Sequence, residues 1–396
     1  RMEVSVISLA DTIGVSNPEN ISSLFKSLIP KFPHIEFGAH LHTTPETTRE
    51  KIQAAYESGC RRVDGAIMGF GGCPMADDEL TGNMATEDLV YLLESCGLWD
   101  RLAPHAAALE VMRIVDAGGA EPTPRVVREF RAAEISEQPF GWNFPNWLLR
   151  REGLAHLATL PNVEFRPGTA TNSLFTRTGE ARVGLSDGTR LRARLVIACD
   201  GRNSPMREAA GIGVRTLRYG QKALAFAVTH PVPHNNVSTE IHRSGGPFTL
   251  VPLPDYEGKP SSAIVWMERG PRARQLAALS VLEFEAALAE RSCALFGPLT
   301  LASRRSLWPI IAQEAEAVTG ERLVLMAEAA HVVPPIGAQG LNMSLADLGC
   351  LLDLATARPE GLGDQQMLDA YARARQRDIH LRVQGIDLLN RASMAE

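Results

Sequence analysis

The chain changes character at Gly97-Leu98-Trp99, and this break limits what it can fold into more than any single motif does. Before it, short apolar strands alternate with helices. After it come longer β-rich stretches, Gly-rich turns and arginine-laden helices. Residues 1–100 contain three lysines and four arginines, whereas residues 101–396 contain two lysines and 31 arginines. No folding requirement explains such a shift, so it reads as two coding histories in one chain. A length of 396 residues predicts two or three domains.

A hydrophobic fraction of 45% with 22% charged residues is that of a packed globular protein. A net charge of −6 without a basic stripe argues against nucleic-acid binding. The six cysteines form no CxxC and no paired spacing, which suits a reducing cytoplasm. No run of 18 apolar residues occurs, and the chain does not open with a basic stretch followed by an apolar core. The expected location is cytoplasmic, with peripheral attachment to an inner membrane as the alternative. The first residue is Arg, as expected for a piece of a longer chain.

In the first segment, strands are expected at Val4–Leu9 running to Asp11, at Ile35–His42 and at Arg62–Met68. Helices are expected at Asn20–Leu28, Thr47–Ser58 and Glu87–Ser95. This alternation implies parallel βα units. His40 and His42 are two apart, so both face one side of a strand and could share a divalent ion. Two hydrogen-bonded surface histidines are the plainer alternative. Cys73 lies in Gly71-Gly72-Cys73-Pro74 after the third strand, a setting more reachable than a core.

The combination Leu9–Gly14, Ala39–Thr43, Gly69–Pro74 and Gly82–Asp88 resembles the C-terminal part of hydroxymethylglutaryl-CoA lyase. The resemblance implies the last three βα units of a TIM barrel. It also implies that His40, His42 and Asn83 ligate Mg²⁺ or Mn²⁺, that Cys73 is the catalytic thiol, and that Asp11 lies near the substrate. Such cleavage needs a cation to hold the substrate and groups that move protons. The early ligating Asp of that family has no counterpart before Val4, and five strands are missing. No lyase turnover is expected from this chain alone.

In the second segment, Leu191–Cys199 reads as a strand leading into Asp200-Gly201-Arg202-Asn203-Ser204 and a helix start. That turn could edge a ligand or simply be a β-turn. Arg322–Met326 is a buried strand leading to Ala327–His331 and then to Pro334–Asn342, with a leucine-spaced helix beyond. A Gly-rich turn at a helix N-terminus leaves N–H groups free for negative charge. Lys222–His230, Val237–Arg243, Phe248–Leu253 and Ser261–Glu268 read as strands of a mostly antiparallel sheet. His230, His234 and His242 read as ordinary strand or loop histidines. Leu368–Met394 suits one or two amphipathic helices with a solvated basic face, or contact with a membrane surface.

These motifs resemble single-component FAD-dependent aromatic hydroxylases, with the ubiquinone-biosynthesis hydroxylases the nearest group, over roughly residues 98–396. The resemblance implies FAD and NAD(P)H as cofactors and a lipid-like aromatic small molecule as substrate. It assigns the FAD site to Arg151, Asp200, Gly201, Ser204, Arg207, Glu328, Pro335, Gly337, Gln339, Gly340, Leu341 and Asn342. Arg150 is a near-equal alternative to Arg151. Glu328 stands where the family usually has Asp, and Ala327 where it usually has Gly. The GxGxxG that holds the ADP half occurs nowhere in the 396 residues.

The expected architecture is therefore α/β and α+β. A partial TIM barrel over 1–98 precedes an incomplete FAD-binding Rossmann-like domain over 99–215 and 321–396, with an antiparallel substrate sheet over 216–320. The expected function is FAD-dependent monooxygenation of a ubiquinone precursor by ancestry, crippled by loss of the ADP-binding unit. A lyase fragment and an inactive fusion are the alternatives. Oligomeric state is not legible.

Overall fold

Strand–helix alternation in the first hundred residues produces three parallel strands among the described residues. A computed structural model of the chain describes residues 6–11, 16–33, 35–41, 45–60, 62–64, 94, 96–119, 121–134, 137–243 and 245–394. It divides into two units, residues 1–96 with 135–140, and residues 97–134 with 141–396.

In the first unit, β1 (Val6–Asp11), β2 (Glu36–Leu41) and β3 (Arg62–Asp64) lie parallel in that order. Helix α1 (Pro18–Leu28) starts at a capping box in which the Asn17 and Asn20 side chains each accept the other's backbone N–H at 2.9 Å. Helix α2 (Pro45–Glu57) stops before Gly59, whose φ of +98° suits no residue with a side chain. Ile21, Phe25, Phe37, Ala39, Ala55 and Cys60 form a small core. Three parallel strands occur in barrels and open sheets alike, so the partial barrel rests on sequence resemblance alone.

The second unit begins with the short helix α3 (Trp99–Leu102). Strands β4 (Ala107–Leu109) and β7 (Gly141–Asn143) pair antiparallel. The hairpin β5 (Val111–Asp116) and β6 (Val126–Arg131) joins a nine-stranded sheet. Helix α4 (Asn146–Leu157) leads to the antiparallel meander β8 (Thr171–Arg177), β9 (Glu180–Leu185) and β10 (Arg190–Ala193). β11 (Val196–Ala198) and the short helix α5 (Pro205–Ala209) follow.

The large sheet is carried by β12 (Val214–Thr229), β13 (Val237–His242), β14 (Pro247–Tyr256), β15 (Lys259–Arg269), β16 (Thr300–Leu301) and β17 (Ser306–Ala315). Its neighbours are antiparallel except β13 and β5. Alternation sets its faces: Val237, Thr239 and Ile241 are buried while their neighbours are only partly so. Phe248 and Trp266 meet edge-on at 5.4 Å, and Phe226 and Phe284 at 5.2 Å. Helices α6 (Gly270–Ala278) and α7 (Val281–Arg291) supply Leu276, Phe284 and Leu288 to that core.

The chain then returns through β18 (Thr319–Gly320), β19 (Leu323–Leu325) and β20 (His331–Val332) to α8 (Gln339–Ala357) and α9 (Gln365–Met394). β19 pairs parallel with β11, and β20 pairs with β17. Leu323, Val324, Leu325, Met343, Leu351, Tyr371 and Ile379 lie in a second core that these helices cover.

Two elements depart from expectation. Leu191–Cys199 is two strands, because Arg190–Ala193 pairs antiparallel with the meander while Val196–Ala198 pairs parallel with β19. β12 extends back to Val214 across a register shift between Arg218 and Lys222, where Gly220 takes φ +72°. The C-terminal region, expected as one or two helices, is one 30-residue helix. No helix among the described residues is long and apolar enough to cross a membrane.

Candidate flavin site

Parallel pairing of β11 with β19 brings two distant loops together, because parallel strands place their C-terminal ends side by side. β11 runs into Cys199–Ser204, and β19 into Met326–Ala330. Gly201 takes φ +89°, which turns the chain sharply after Asp200. Asp200 Oδ2 accepts the Met206 N–H at 3.1 Å, and Ser204 Oγ accepts the Arg207 N–H at 2.9 Å, so both carboxylate and hydroxyl cap α5.

Two arginines bridge the loops. Buried Arg207 donates to the Ala329 carbonyl at 2.8 Å and the Arg202 carbonyl at 3.0 Å. Arg202 donates through Nε and Nη2 to the two oxygens of Glu328, at 3.2 and 3.3 Å. Glu328 is half-exposed and open to a ligand.

The second loop is held from below. Asp347, fully buried on α8, accepts His331 Nε2 at 2.7 Å and the Ala327 N–H at 3.1 Å on Oδ2, and Arg375 Nε at 2.8 Å on Oδ1. Arg375 sits on α9 and also donates to Asp378 at 2.8 Å; the adjacent carboxylates hold its guanidinium above its ordinary value against the cost of burial. Ala327 takes φ +53°, a left-handed conformation that costs an alanine about 1–2 kcal/mol.

Gly337 at φ +64° and Ala338 at φ +51° turn the chain into α8. No side chain caps that N-terminus, and a Cβ on Gly340 would meet nothing within 4 Å. The N–H groups of the first turn, at Gln339 to Asn342, therefore meet open space at the positive end of a 19-residue helix. Gln339 is fixed by Arg382 on its amide oxygen at 3.2 Å and by the Gly337 carbonyl at 2.9 Å. The helix start can bind a phosphate or an anionic ring edge, and the half-exposed Glu328 carboxylate on the preceding loop can accept hydroxyls.

The structure thus gathers Asp200, Gly201, Ser204, Arg207 and Glu328 into one pair of loops, and Pro335, Gly337, Gln339, Gly340, Leu341 and Asn342 into the turn that follows. Arg151 is not drawn into them: it pairs with Glu152 at 2.7 Å and lies over the Trp147 ring at 5.1 Å on its own helix. His40 lies in β2 opposite Asp64, while His42, Cys73 and Asn83 fall outside the described residues. Among the described residues no cluster of three metal-binding side chains occurs. His230 is buried between the Val232 carbonyl at 2.7 Å and Ser262 Oγ at 2.9 Å, His234 bonds the Leu253 carbonyl, and His242 bonds Glu240.

Sequence reasoning missed Arg202, Asp347 and Arg375. The signal for the last two lay in spacing: Met343, Asp347 and Leu351 repeat every four residues on α8, and Leu368, Tyr371, Arg375 and Ile379 line α9. A carboxylate and a guanidinium on two apolar stripes imply each other.

Two families match different parts of the chain. A family described as FAD binding domain matches residues 80–384, and one described as HMGL-like matches residues 1–117. The ubiquinone hydroxylase UbiL of Rhodospirillum rubrum is 33% identical over 290 residues, 72% of this chain and 65% of that protein. The hydroxymethylglutaryl-CoA lyase YngG of Bacillus subtilis is 40% identical over 91 residues, 23% of this chain and 30% of that one. Crystalline PqsL of Pseudomonas aeruginosa superposes with a TM-score of 0.65 at 17% identity, covering 99% of this chain and 96% of that one. The chain spans just under two thirds of the hydroxylase and under a third of the lyase.

Proposed function

Because the chain belongs to the FAD binding domain family, we propose that its second unit is a flavin-dependent aromatic hydroxylase by descent that retains one half of a FAD site. The observation that carries this reading is the joining of the two loops by Arg202–Glu328 and Arg207–Ala329, with the uncapped start of α8 following the second loop in the chain. These residues fit the flavin and pyrophosphate side of the cofactor. N–H groups at Gly340, Leu341 and Asn342 suit its negative charge, and Glu328 suits sugar-like hydroxyls. The adenosine side has no assigned holder, since no GxGxxG occurs.

When bound, flavin supplies electron transfer from NAD(P)H and activation of O₂. The protein's part is to seat the ring and to present a substrate to it from the nine-stranded sheet. The names of the hydroxylase relatives support a lipid-like aromatic substrate related to ubiquinone. The C-terminal helix exposes Leu381, Leu388 and Leu389, which suits contact with a membrane surface where such substrates reside.

Titration of the purified full chain with FAD and with FMN tests the proposal, read by flavin fluorescence and absorbance. The expected result is weak binding of both with similar affinity, as the adenosine half adds nothing. Protein that purifies with stoichiometric FAD, or binds FAD a hundredfold more tightly than FMN, overturns the half-site. Absence of any binding overturns the flavin assignment.

A further inference from the structure

Basic residues of α9 divide into two sets. Arg375 and Arg382 are taken up by Asp347, Asp378 and Gln339. Arg373 and Arg377, one turn apart, instead line an open cleft of about 730 Å³ against β12 and β17, together with Arg215, Glu314, Gln376 and His380. That volume lies in the range of about 300–1,000 Å³ usual for small-molecule sites.

Positions 373, 376, 377 and 380 follow the i, i+3, i+4, i+7 spacing of one helix face. This face is the more exposed flank beside the buried stripe of Leu368, Tyr371, Arg375 and Ile379, and it reads Arg, Gln, Arg, His. The helix is nevertheless fixed in place. Gln376 accepts the Val318 N–H at 3.1 Å and donates to the Ala315 carbonyl at 3.3 Å, and His380 Nδ1 lies 3.1 Å from Glu314. The walls of this open cleft are therefore held in place relative to each other.

Its charges are unbalanced. Glu314 is engaged by His380 and stands opposite Arg215 in the strand register. Glu316 also lines the cleft, and its carboxylate leans over Gly213, where any side chain would collide with it. None of the three arginines has a carboxylate within ion-pair distance among the described residues. One carboxylate fills one guanidinium fork. Three guanidinium groups lining one cleft suit a group with more acceptor oxygens, which is a phosphoryl group.

We propose that this cleft binds the phosphate of a small phosphorylated molecule or of a lipid headgroup, held by Arg215, Arg373 and Arg377. The proposal does not depend on the flavin reading, since none of these residues belongs to the two loops.

The test is calorimetric titration of the full chain with inorganic pyrophosphate, alongside flotation with vesicles of phosphatidylcholine containing or lacking phosphatidic acid. R373Q/R377Q on the helix and R215Q on the strand are compared with wild type, and R190Q on β10 serves as a control. All four side chains are exposed, so unchanged urea midpoints are expected. Saturable binding weakened at least tenfold by R373Q/R377Q and by R215Q, but not by R190Q, supports the site. Whether pyrophosphate or the acidic vesicles show it identifies the source. Absence of saturable binding to both, or binding equally weakened by R190Q, overturns it.

Discussion

Arg375 Nε meets Asp347 Oδ1 at 2.8 Å in the interior, and the other oxygen of the same carboxylate holds His331 and the Ala327 N–H. A charged pair so placed joins two helices to a loop that neither helix contains. Removing one partner leaves the other buried and alone, which costs about 3–5 kcal/mol. Asp347→Ala should therefore lower stability by that amount in urea unfolding. Asp347→Asn, which keeps an acceptor but loses the charge, should cost about 1–3 kcal/mol. A change under 0.5 kcal/mol for Asp347→Ala, roughly the scatter of surface substitutions, would show that the network contributes little.

Ala327 pays for its left-handed backbone. Ala327→Gly removes the clash of Cβ with the following carbonyl and should stabilise the protein by on the order of 1 kcal/mol, although glycine also loosens the unfolded chain. Ala327→Val should destabilise by more than the glycine gains. Thermal unfolding of the two variants checks both signs.

The Arg202–Glu328 pair is partly exposed, so its contribution to stability should stay below about 1 kcal/mol. Its value is positional. Glu328→Gln and Arg202→Gln should leave the unfolding midpoint nearly unchanged while weakening flavin binding several-fold in fluorescence titration. Unfolding and binding falling together would make the pair structural instead.

Burial, with the His234 imidazole adding to it, pushes His230 below the usual imidazole range of about 6.5 even though the Val232 carbonyl pulls the other way. The unfolded chain then binds a proton more readily than the folded one. Stability from this site is complete above about pH 6.5 and is lost as pH falls from there through the lowered folded value. His230→Gln should flatten that acid limb. Urea midpoints at pH 7.5 and pH 5.5 for the two proteins decide it, and an unchanged slope in the variant would assign the limb to other groups.

Strands such as Val237–His242 were readable because burial alternates strictly along them. The first half of β12 was not, since Arg215, Arg218 and Tyr219 give no apolar alternation and Gly220 looks like a break. The loop residues of the proposed flavin site are legible through motif resemblance, and the pairing of β11 with β19 brings those two motifs together. Arg202 was passed over because an arginine after Asp-Gly has no pattern of its own; only the approach of Glu328 gives it a role. Arg151 shows the reverse case, a basic residue suited to the site by position in the chain that its own helix neighbours engage instead.

β11 and β19 are neighbours in the sheet, yet the central strands of the nine-stranded sheet are encoded between them. On a ribosome the Asp-Gly loop emerges first and cannot meet its partner until more than a hundred further residues have been added. At about 5–20 residues per second that interval is on the order of ten seconds. The two loops thus meet only after the strands between them have been made, and a nascent chain passes that interval with a bare apolar strand. Slowed translation between residues 200 and 320 should therefore reduce yield more than an equal slowing after residue 340.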